Sequence, residues 1–361
     1  MTEVVNVDPV RPNHADIARA SDCLRRGGLV AFPTETVYGL GVHAMDRAAV
    51  RRLFEAKKRP ANDPLIVHVA SFAEIAALVT APPRSAALLA DRFWPGALTL
   101  VLRRAPSVPD EVTASLDTVA VRVPAHPVAH ALLAATALPI AAPSANLFSR
   151  PSPTLAAHVL EDLDGRIDMV VDGGPTAVGV ESTVLDITVD PPVVLRPGAI
   201  SIDMLRAIVP TVQYRAARAH TSDHASMPSP GLLSKHYAPR APLTIYQGDA
   251  AAVGEALRQA ARSAAAGGQR VGLLVAAEDS SLVGDMHDID GPPVVSAILG
   301  SHGDAEATAA RLYAALRELD GSHVDLILAR DIVGDHGLWR AVADRLHRAA
   351  ARVVVVSPRI G

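Results

Sequence analysis

Cysteine and aromatic residues are scarce in this sequence, and each scarcity excludes a class of protein. The single cysteine, Cys23, allows no disulfide within the chain and no cysteine-rich zinc site, which favours a reducing compartment. Aromatic residues make up 3%, so cores must be built from aliphatic side chains, and no row of rings is available to stack single-stranded nucleic acid. The net charge of -4 at pH 7 argues against nucleic-acid binding by bulk charge.

Long apolar runs and an N-terminal signal-peptide pattern are also missing. The longest apolar stretch, ALLAATALPIAAP, is too short to span a bilayer and contains prolines. These absences predict a soluble, cytoplasmic protein without a membrane partner. The length of 361 residues predicts about two domains, and a hydrophobic content of 49% is sufficient for packed cores.

The periodicity of apolar residues divides the chain into three regions. Strands and helices alternate in 1–212 and again in 242–361, whereas 213–241 is rich in serine, proline and histidine and predicts a linker. Strands are predicted at 28–33, 65–69, 98–102, 119–123, 139–142, 169–171, 183–187, 193–195, 243–246, 270–275, 294–297, 324–329 and 353–356. Helices are predicted at 16–26, 47–57, 72–78, 84–93, 127–135, 155–163, 202–208, 250–265, 305–319 and 338–350. A linker this long in a compact protein is either disordered or functional.

The stretch FPTETVYGLG follows a predicted strand and contains Thr34, Glu35 and Thr36. One interpretation is a turn in which threonine hydroxyls satisfy backbone groups. The glycines do not form a dinucleotide fingerprint, because the third glycine and the helix that should follow are absent. No G-x-x-x-x-G-K-[ST] pattern occurs, so a nucleotide would not be held by a P-loop.

Lysine is rare, with 3 lysines against 31 arginines, and two of the lysines are adjacent in KKRPANDPL. Lys57 and Arg59 there form either a solvated helix end or a phosphate clamp. Arg122 lies in the predicted strand DTVAVRVP. A buried guanidinium needs an anion, and either an internal carboxylate or a substrate carboxylate would serve. His68, in LIVHV, is by itself more often structural than catalytic.

Small hydroxyls and cations mark further strand ends. Ser144 and Asn146 end a strand in PIAAPSAN, Ser182 begins one in GVESTVLDI, and Arg196 ends one in VVLRPG. Such groups suit anion binding, although each also fits a simple turn. Together they predict a cleft for a multiply anionic ligand. No Ser-His-Asp set or carboxylate pair is apparent, so a hydrolase is not expected.

Taken in order, FPTETVYGLG, KKRPANDPL, VRVP, PSAN, EST and LRPG closely resemble the YrdC-like threonylcarbamoyl-AMP synthases, whose signature includes the Lys-x-Arg and Ser-Ala-Asn triplets. The resemblance covers about 12–208, and SPGLLSKHYAPRAPL with the later residues resembles the longer two-domain branch. It implies an α/β fold with a twisted open mixed sheet and helices in a catalytic domain, 1–212. It also implies a linker that acts as a lid, 213–241, and a small Rossmann-like domain, 242–361.

The resemblance implies a nucleotidyltransferase that condenses L-threonine, bicarbonate and ATP to threonylcarbamoyl-AMP and pyrophosphate. Threonylcarbamoyl-transferase proteins would then modify the tRNA adenosine next to the anticodon. Mg2+ is expected with ATP, and no tightly held protein metal site is expected.

The same resemblance assigns individual residues. The threonine site would contain Thr36, His68, Arg122, Ala142 and Ser182. The ATP site would contain Arg59, Asp63, Thr118, Ser144, Ser152, Arg196 and Tyr237. Lys57 and Arg59 would act on the phosphates. Two positions depart from the family: Lys58 stands where glycine is frequent, and Asp63 replaces the more frequent asparagine.

Two other functions are compatible with parts of this pattern. The first is an RNA-binding protein that uses a concave basic face without adenylation chemistry. The second is a carbamoyltransferase of hydrogenase maturation, which shares the YrdC-like domain. That class carries cysteine-rich zinc fingers, which a chain with one cysteine cannot form.

Overall fold

The computed structural model describes residues 1–214, 227, 236–279 and 291–357. The chain divides into a first unit, Met1–Phe148 with Ser152–Ser234, and a second unit, Ser149–Pro151 with Lys235–Gly361. Most of the predicted linker, including the rare Lys235, lies outside the described residues. Among the described residues, no helix is both long enough and apolar enough to cross a membrane.

The strands of the first unit form one mixed sheet of 11 strands within the described residues. They are β1 Glu3–Asn6, β2 Val30–Pro33, β3 Tyr38–His43, β4 Ile66–His68, β5 Leu98–Arg103, β6 Thr118–Arg122, β7 Ile140–Ala141, β8 Met169–Asp172, β9 Thr183–Asp186, β10 Val193–Arg196 and β11 Gln213–Tyr214. Their order is β1-β8-β2-β3-β7-β4-β6-β5-β9-β10-β11. Parallel β4 and β6 therefore lie side by side at the centre of the sheet, with β7 antiparallel to β4.

The helices of the first unit cover this sheet. They are α1 His14–Arg25, α2 Arg47–Lys57, α3 Arg84–Phe93, α4 Asp110–Thr113, α5 Pro127–Thr136, α6 Ala156–Leu163 and α7 Ile202–Arg206, with a 3-10 helix at Phe72–Ala77. Asp46 caps α2 by accepting from the backbone N–H groups of Ala48 and Ala49. The core contains many Ala, Val, Leu and Ile side chains, as the low aromatic content requires.

The turn interpretation of Thr34–Thr36 is confirmed, but the strand that follows it was not predicted. Residues 34–37 turn, but Tyr38–His43 is a buried strand paired with β2. A Cβ on Gly41 would lie 2.7 Å from Phe32 Cε1, so this glycine allows close packing rather than a turn. The short elements β1, β11 and α4 were also not predicted, because two to four residues carry too little periodicity.

The second unit has a five-stranded sheet in its described residues, and every pairing in it is parallel. The strands are β12 Leu243–Gly248, β13 Val271–Val275, β14 Val295–Ile298, β15 Leu326–Arg330 and β16 Arg352–Val356, in the order β14-β13-β15-β12-β16. The helices are α8 Ala250–Ala266, α9 Ala305–Gly321 and α10 Gly337–Ala349. All five residues of β13 are buried, as expected for a parallel strand covered on both faces.

Candidate active site

Two of the predicted threonine-site residues are neighbours in the central pair of strands. His68 ends β4 and Arg122 ends β6, and the two residues are in register across the parallel ladder. Residues in register on parallel strands point to the same face of the sheet. The structure therefore brings together an imidazole and a guanidinium that are far apart in the sequence.

Arg122 is 3% exposed and uses several of its N–H groups within the first unit. Nη2 donates to Glu35 Oε1 at 2.7 Å, Nη1 donates to Thr36 Oγ1 at 3.0 Å, and Nε donates to a backbone carbonyl, that of Gly96, at 3.1 Å. The other carboxylate oxygen of Glu35 accepts from Ala125 N at 3.0 Å. Of the two anions considered for Arg122, the internal one is present. Because arginine has five N–H donors, the side chain keeps capacity for a second acceptor.

The turn before β3 is held by one threonine and presents the other. Thr34 Oγ1 donates to the carbonyl of Val37 at 2.6 Å and accepts from the backbone N–H groups of Thr36 and Val37, both at 3.2 Å. Thr36 Oγ1 lies 2.8 Å from Thr34 Oγ1 and accepts from Arg122. Thr34 is thus the structural residue that the turn interpretation expected, and Thr36 faces the guanidinium.

His68 is neutral at ordinary pH. Burial, together with the nearby charge of Arg122, lowers the pKa of its imidazole to about 3. Its Nδ1 atom is buried and has no hydrogen-bond partner among the described residues. A buried polar atom without a partner is costly, so this nitrogen is available to a ligand.

Ser182 and Arg196 lie together at β9 and β10, which β5 separates from β6 in the sheet. Arg196 Nη2 donates to the Ser182 carbonyl at 3.0 Å and to Ser182 Oγ at 3.2 Å. Ser182 Oγ also lies 2.7 Å from Thr99 Oγ1. The backbone N–H of Ala142 donates to the carbonyl of Ile66 at 2.9 Å, so this N–H is used within the sheet.

Lys57 is the last residue of α2 and is 1% exposed. Its Nζ donates to the carbonyl of Asn146 at 2.6 Å and to the carbonyl of Ser144. Burial, with the charge of Arg59 nearby, lowers the pKa of this ammonium well below its usual range. The lysine of the Lys-x-Arg triplet therefore holds the Ser-Ala-Asn loop in place, which the sequence did not reveal.

The backbone conformation at Lys58 explains why glycine is frequent at this position in the family. It follows α2 with φ of 53°, in the left-handed region, where glycine is the usual residue. Arg59 then folds back on its own turn. Its Nη2 lies 2.9 Å from Asp63 Oδ2 and donates to the carbonyl of Pro64 at 2.8 Å. The acidic residue at 63 thus supplies an ion pair that asparagine could not.

The remaining predicted ATP residues lie at several places around the sheet. Thr118 begins β6, whose last residue is Arg122, so the two side chains share a face about 13 Å apart at ~3.3 Å per residue. Ser144 forms an isolated antiparallel β-bridge with Gly39 of β3. Ser152 Oγ donates to Glu181 Oε1 at 2.5 Å.

Tyr237 belongs to the second unit, where it is almost completely buried. Its ring lies 4.1 Å from the ring of His236 and 5.5 Å from that of Tyr313, between centroids. The guanidinium of Arg345 lies over the same ring at 5.3 Å. The predicted contact of Tyr237 with a nucleotide stays a prediction.

Three residues in contact with the predicted site were not assigned to it from the sequence. Glu35 pairs with Arg122, Thr99 contacts Ser182, and Glu181 accepts from Ser152. Glu35 and Glu181 lie inside the quoted motifs, so an electrostatic argument could have found them. Thr99 lies in an ordinary apolar strand and carries no sequence signal.

Comparisons with known proteins agree with this arrangement along almost the whole chain. A family model described as "Telomere recombination" matches residues 22–198, and one described as "Threonylcarbamoyl-AMP synthase, C-terminal domain" matches residues 200–351. The threonylcarbamoyl-AMP synthase of Bacillus subtilis (strain 168) is 44% identical over 353 residues, which is 96% of each chain. That of Pyrococcus abyssi is 41% identical over 360 residues, which is 98% of this chain and 99% of the relative.

The fold is shared with a solved structure. The crystal structure of P. abyssi Sua5 complexed with L-threonine has a TM-score of 0.89 and 41% identity, and the match covers 99% of this chain and 100% of that one. A mixed α/β sheet with buried cations and hydroxyls at its strand ends is thus the framework of a nucleotidyltransferase. The chain belongs to the threonylcarbamoyl-AMP synthase family, whose function is in tRNA modification. The resemblance and the fold class expected from the motifs are confirmed.

Proposed function

We propose that this chain condenses L-threonine, bicarbonate and ATP to threonylcarbamoyl-AMP, with release of pyrophosphate. Partner threonylcarbamoyl-transferase proteins would consume the product on tRNA. The observation that carries the proposal is the pair of buried cations, Arg122 and Lys57, in one sheet framework with hydroxyls around them. A cytoplasmic location is part of the proposal.

The threonine end is assigned to the ends of β4 and β6. Arg122 would bind the threonine carboxylate with the N–H groups it does not use internally, since a charged hydrogen-bonded pair is the strong form of this contact. Thr36 or the neutral His68 would pair with the threonine hydroxyl. Ser182 and the backbone at Ala142 would complete the site. A site that pairs a buried hydroxyl rejects valine, because the partner group would be left unpaired.

The nucleotide end is assigned to the residues around Lys57. Lys57 would approach the phosphates of ATP, and the remaining contacts are proposed for Arg59, Asp63, Thr118, Ser144, Ser152 and Arg196. Thr118 and Arg122 share one face of β6 about 13 Å apart, which is the reach of an extended ligand with threonine at one end and a nucleotide at the other.

The reaction needs positioned reactants and charge compensation rather than a protein nucleophile. The amine of threonine takes up CO2 derived from bicarbonate to give a carbamate. A carbamate oxygen then attacks the α-phosphorus of ATP, and the bond to pyrophosphate breaks. The protein would hold the reactants together and offset charge that develops on the phosphates.

Mg2+ is proposed to enter with ATP. Within the described ranges, no three His, Cys, Asp or Glu side chains converge on a point where they could hold a metal ion. Phosphate oxygens and water are the ligands that Mg2+ commonly keeps in nucleotide sites.

The region 213–241 is proposed as a lid that excludes water from the hydrolysable product, with Tyr237 contacting the nucleotide. Removal of residues from about 215 onward should abolish synthesis while the first domain keeps its far-UV circular dichroism. A fully active truncated chain would exclude a lid function.

The deciding experiment measures pyrophosphate release from Mg-ATP and bicarbonate, with and without L-threonine, together with mass spectrometry of the product. Threonine-dependent release with formation of threonylcarbamoyl-AMP is expected. Absence of release, with salt-sensitive RNA binding, would favour the RNA-binding alternative instead.

A further inference from the structure

The second unit has a crevice where its fold places ligands in other parallel α/β proteins. Strand β12 is followed by α8, which packs on β12, β13 and β15. The neighbouring strand β15 is followed by α10, which packs against α9. The two connections run to strands on opposite sides of this pair, β13 and β16. Adjacent strands whose connections diverge leave a crevice at their carboxyl ends, and this is the usual ligand position.

Two connected spaces occupy this crevice. A cavity of about 20 Å³ is lined by Asp279, Arg330 and Trp339, among others. A wider groove of about 530 Å³ shares Arg330 and Trp339 and is also lined by Tyr246 and Val333. The small cavity has the volume of one water molecule, which is also the volume of one ammonium group.

The small cavity contains a carboxylate with unused capacity. Asp279 Oδ1 accepts from Arg330 Nη1 at 2.6 Å, but Oδ2 is buried and has no hydrogen-bond partner among the described residues. The side chain is 9% exposed, and Nε2 of the half-exposed His302 lies 3.7 Å from Oδ2, beyond hydrogen-bond distance. A buried carboxylate oxygen without a donor is costly, so a ligand that supplies a donor is favoured.

Arg330 provides the complementary charge. Its Nη1 is used by Asp279, and no other hydrogen bond of its guanidinium occurs within the described residues. Its side chain is 18% exposed at the floor of the groove, so it can still accept an anionic group. Asp279 can accept hydrogen bonds from an ammonium group, and Arg330 can donate to a carboxylate. The two side chains together are therefore complementary to a zwitterion.

The helix N-termini of this unit differ in how they are capped. That of α10, where His336 and Trp339 line the groove, has no side-chain cap. Asp249 already caps α8 by accepting from Ala251 N and Ala252 N, and Asp304 caps α9 by accepting from Ala307 N. Carboxylates at the N-termini of α8 and α9 occupy the donors that a phosphate would use and repel it, whereas the N-terminus of α10 can assist Arg330 in holding a carboxylate.

One part of the groove wall is apolar and aromatic, and another part is polar and includes His302, Asp331 and His336. Trp339 is half-buried in the first turn of α10, and a Cβ on Gly334 would lie 2.2 Å from Trp339 Cβ, so the preceding loop packs directly on the tryptophan. Val333 is 84% exposed beside it. This apolar part of the wall suits an apolar side chain.

We propose that the second unit binds a free α-amino acid with an apolar side chain. Its ammonium group would lie in the small cavity against Asp279 Oδ2, its carboxylate would contact Arg330, and its side chain would lie along Trp339. The residues of this site belong to the second unit and are not among those proposed for catalysis, so the proposal does not depend on the proposed function.

The test uses the full chain with Trp94→Phe and Arg122→Ala. The first change leaves Trp339 as the only tryptophan, since the sequence has two. The second removes the proposed threonine carboxylate ligand, so binding at the candidate active site adds little. Tryptophan fluorescence is followed during titration with L-leucine or L-phenylalanine to millimolar concentration. A saturable change is expected.

Ligand analogues identify the groups recognised. Phenethylamine, which lacks the carboxylate, and 3-phenylpropionate, which lacks the ammonium group, should each bind at least about tenfold more weakly than L-phenylalanine. No response to any amino acid would mean that the small cavity holds only water and would overturn the proposal. A response to AMP but not to amino acids would overturn it in favour of a nucleotide site.

A matched pair of variants tests the assigned carboxylate. Asp279→Asn should weaken amino-acid binding about tenfold or more. Asp325 lies just before β15, at the amino ends of the strands, where it accepts from Arg270 N. Asp325→Asn should not change amino-acid binding. Circular dichroism checks that each variant folds, and if Asp279→Asn does not fold, the analogue series still decides the question. Equal binding by both folded variants would exclude Asp279 as the ammonium ligand.

Discussion

Arg122 and Lys57 are both almost completely buried, yet their charges are satisfied in different ways. Arg122 donates to the carboxylate of Glu35, whereas the described hydrogen bonds of Lys57 go to the backbone carbonyls of Ser144 and Asn146. A carboxylate cancels a positive charge, but a carbonyl only solvates it. Arg122 is therefore compensated by a direct ion pair, whereas Lys57 is solvated by carbonyls and feels the carboxylates of Asp162 and Asp63 without an ion pair that the structure describes.

This difference matches the two proposed ligands. An amino acid is a zwitterion with no net charge, so a neutral arginine–glutamate pair can accept its carboxylate without adding a large field. ATP is a polyanion, and an ammonium whose described hydrogen bonds go to carbonyls can still pair with a phosphate oxygen. Burial lowers the pKa of Lys57, and a phosphate nearby would raise it again.

The largest expected effect concerns Lys57. Lys57→Met removes the charge and the hydrogen bonds to the Ser-Ala-Asn loop, and we expect a loss of about 2–4 kcal/mol in transition-state stabilisation, by analogy with loss of one preorganised donor. That corresponds to a kcat about 30- to 1000-fold lower in the pyrophosphate assay. Lys58→Met, at the adjacent exposed lysine, is the control and should keep its kcat. An unchanged kcat in Lys57→Met would contradict the assignment.

The next largest effect distinguishes the binding of threonine from the binding of ATP. Arg122→Ala should raise the threonine KM about tenfold to a hundredfold, since a hydrogen bond to a charged group contributes about 1.5–3 kcal/mol, and should change the ATP KM little. Glu35→Gln keeps an acceptor for Arg122 but removes the negative charge. If charge balance is its role, this variant should not raise the threonine KM. Equal increases in both KM values for Arg122→Ala would place the arginine elsewhere in the mechanism.

His68 gives a pH dependence of stability. Its pKa is about 3 in the folded chain against an ordinary value of 6.5, so the unfolded chain binds the proton first as the pH falls. The free energy of unfolding should therefore decrease below about pH 6.5, with a limiting slope of about 1.4 kcal/mol per pH unit.

The measurement compares urea unfolding of the unchanged chain and His68→Gln at about pH 7 and about pH 5, where the expected difference in pH response is about 2 kcal/mol. His43 and His126 have lowered pKa values too, but both are retained in the variant and cancel from the comparison. An identical pH response in the two chains would show that the imidazole of His68 is not held neutral by the fold.

The smallest effect concerns the residue between the two phosphate-site cations. Lys58 has a left-handed backbone, so Lys58→Gly should stabilise the chain by about 0.5–1 kcal/mol, and Lys58→Ala should not. Thermal or urea unfolding measures this difference. A glycine variant less stable than the unchanged chain would mean that the lysine side chain makes a favourable contact that outweighs the strain.

Elements with regular apolar periodicity were predictable from the sequence. Helix α2 was predicted at its observed bounds, because amphipathic spacing is a local property. Strand β3 was not predicted, because Gly39 and Gly41 look like turn residues until Phe32 and Ile140 are packed against them. A glycine chosen for close packing and a glycine chosen for a turn are identical in the sequence.

In the candidate site too, local features were predictable from the sequence and contacts between distant residues were not. The six motifs identified which residues carry charge and hydroxyls, and the rule that a buried guanidinium needs an anion predicted that Arg122 has one. Whether that anion is internal depends on which strands are neighbours, and Glu35 is 87 residues away. The contact between Lys57 and the Ser-Ala-Asn loop, and that between Ser182 and Thr99, are equally non-local.

By itself, then, the sequence determined the family, the helices and strands with clear periodicity, and the set of chemically active side chains. These are properties of residue type and spacing, and they can be recognised without knowledge of the tertiary structure. Only the tertiary structure decided how each buried charge is compensated. Compensation depends on atoms brought within about 3 Å by a sheet whose neighbouring strands are distant in the chain, and electrostatic energy changes steeply over such distances.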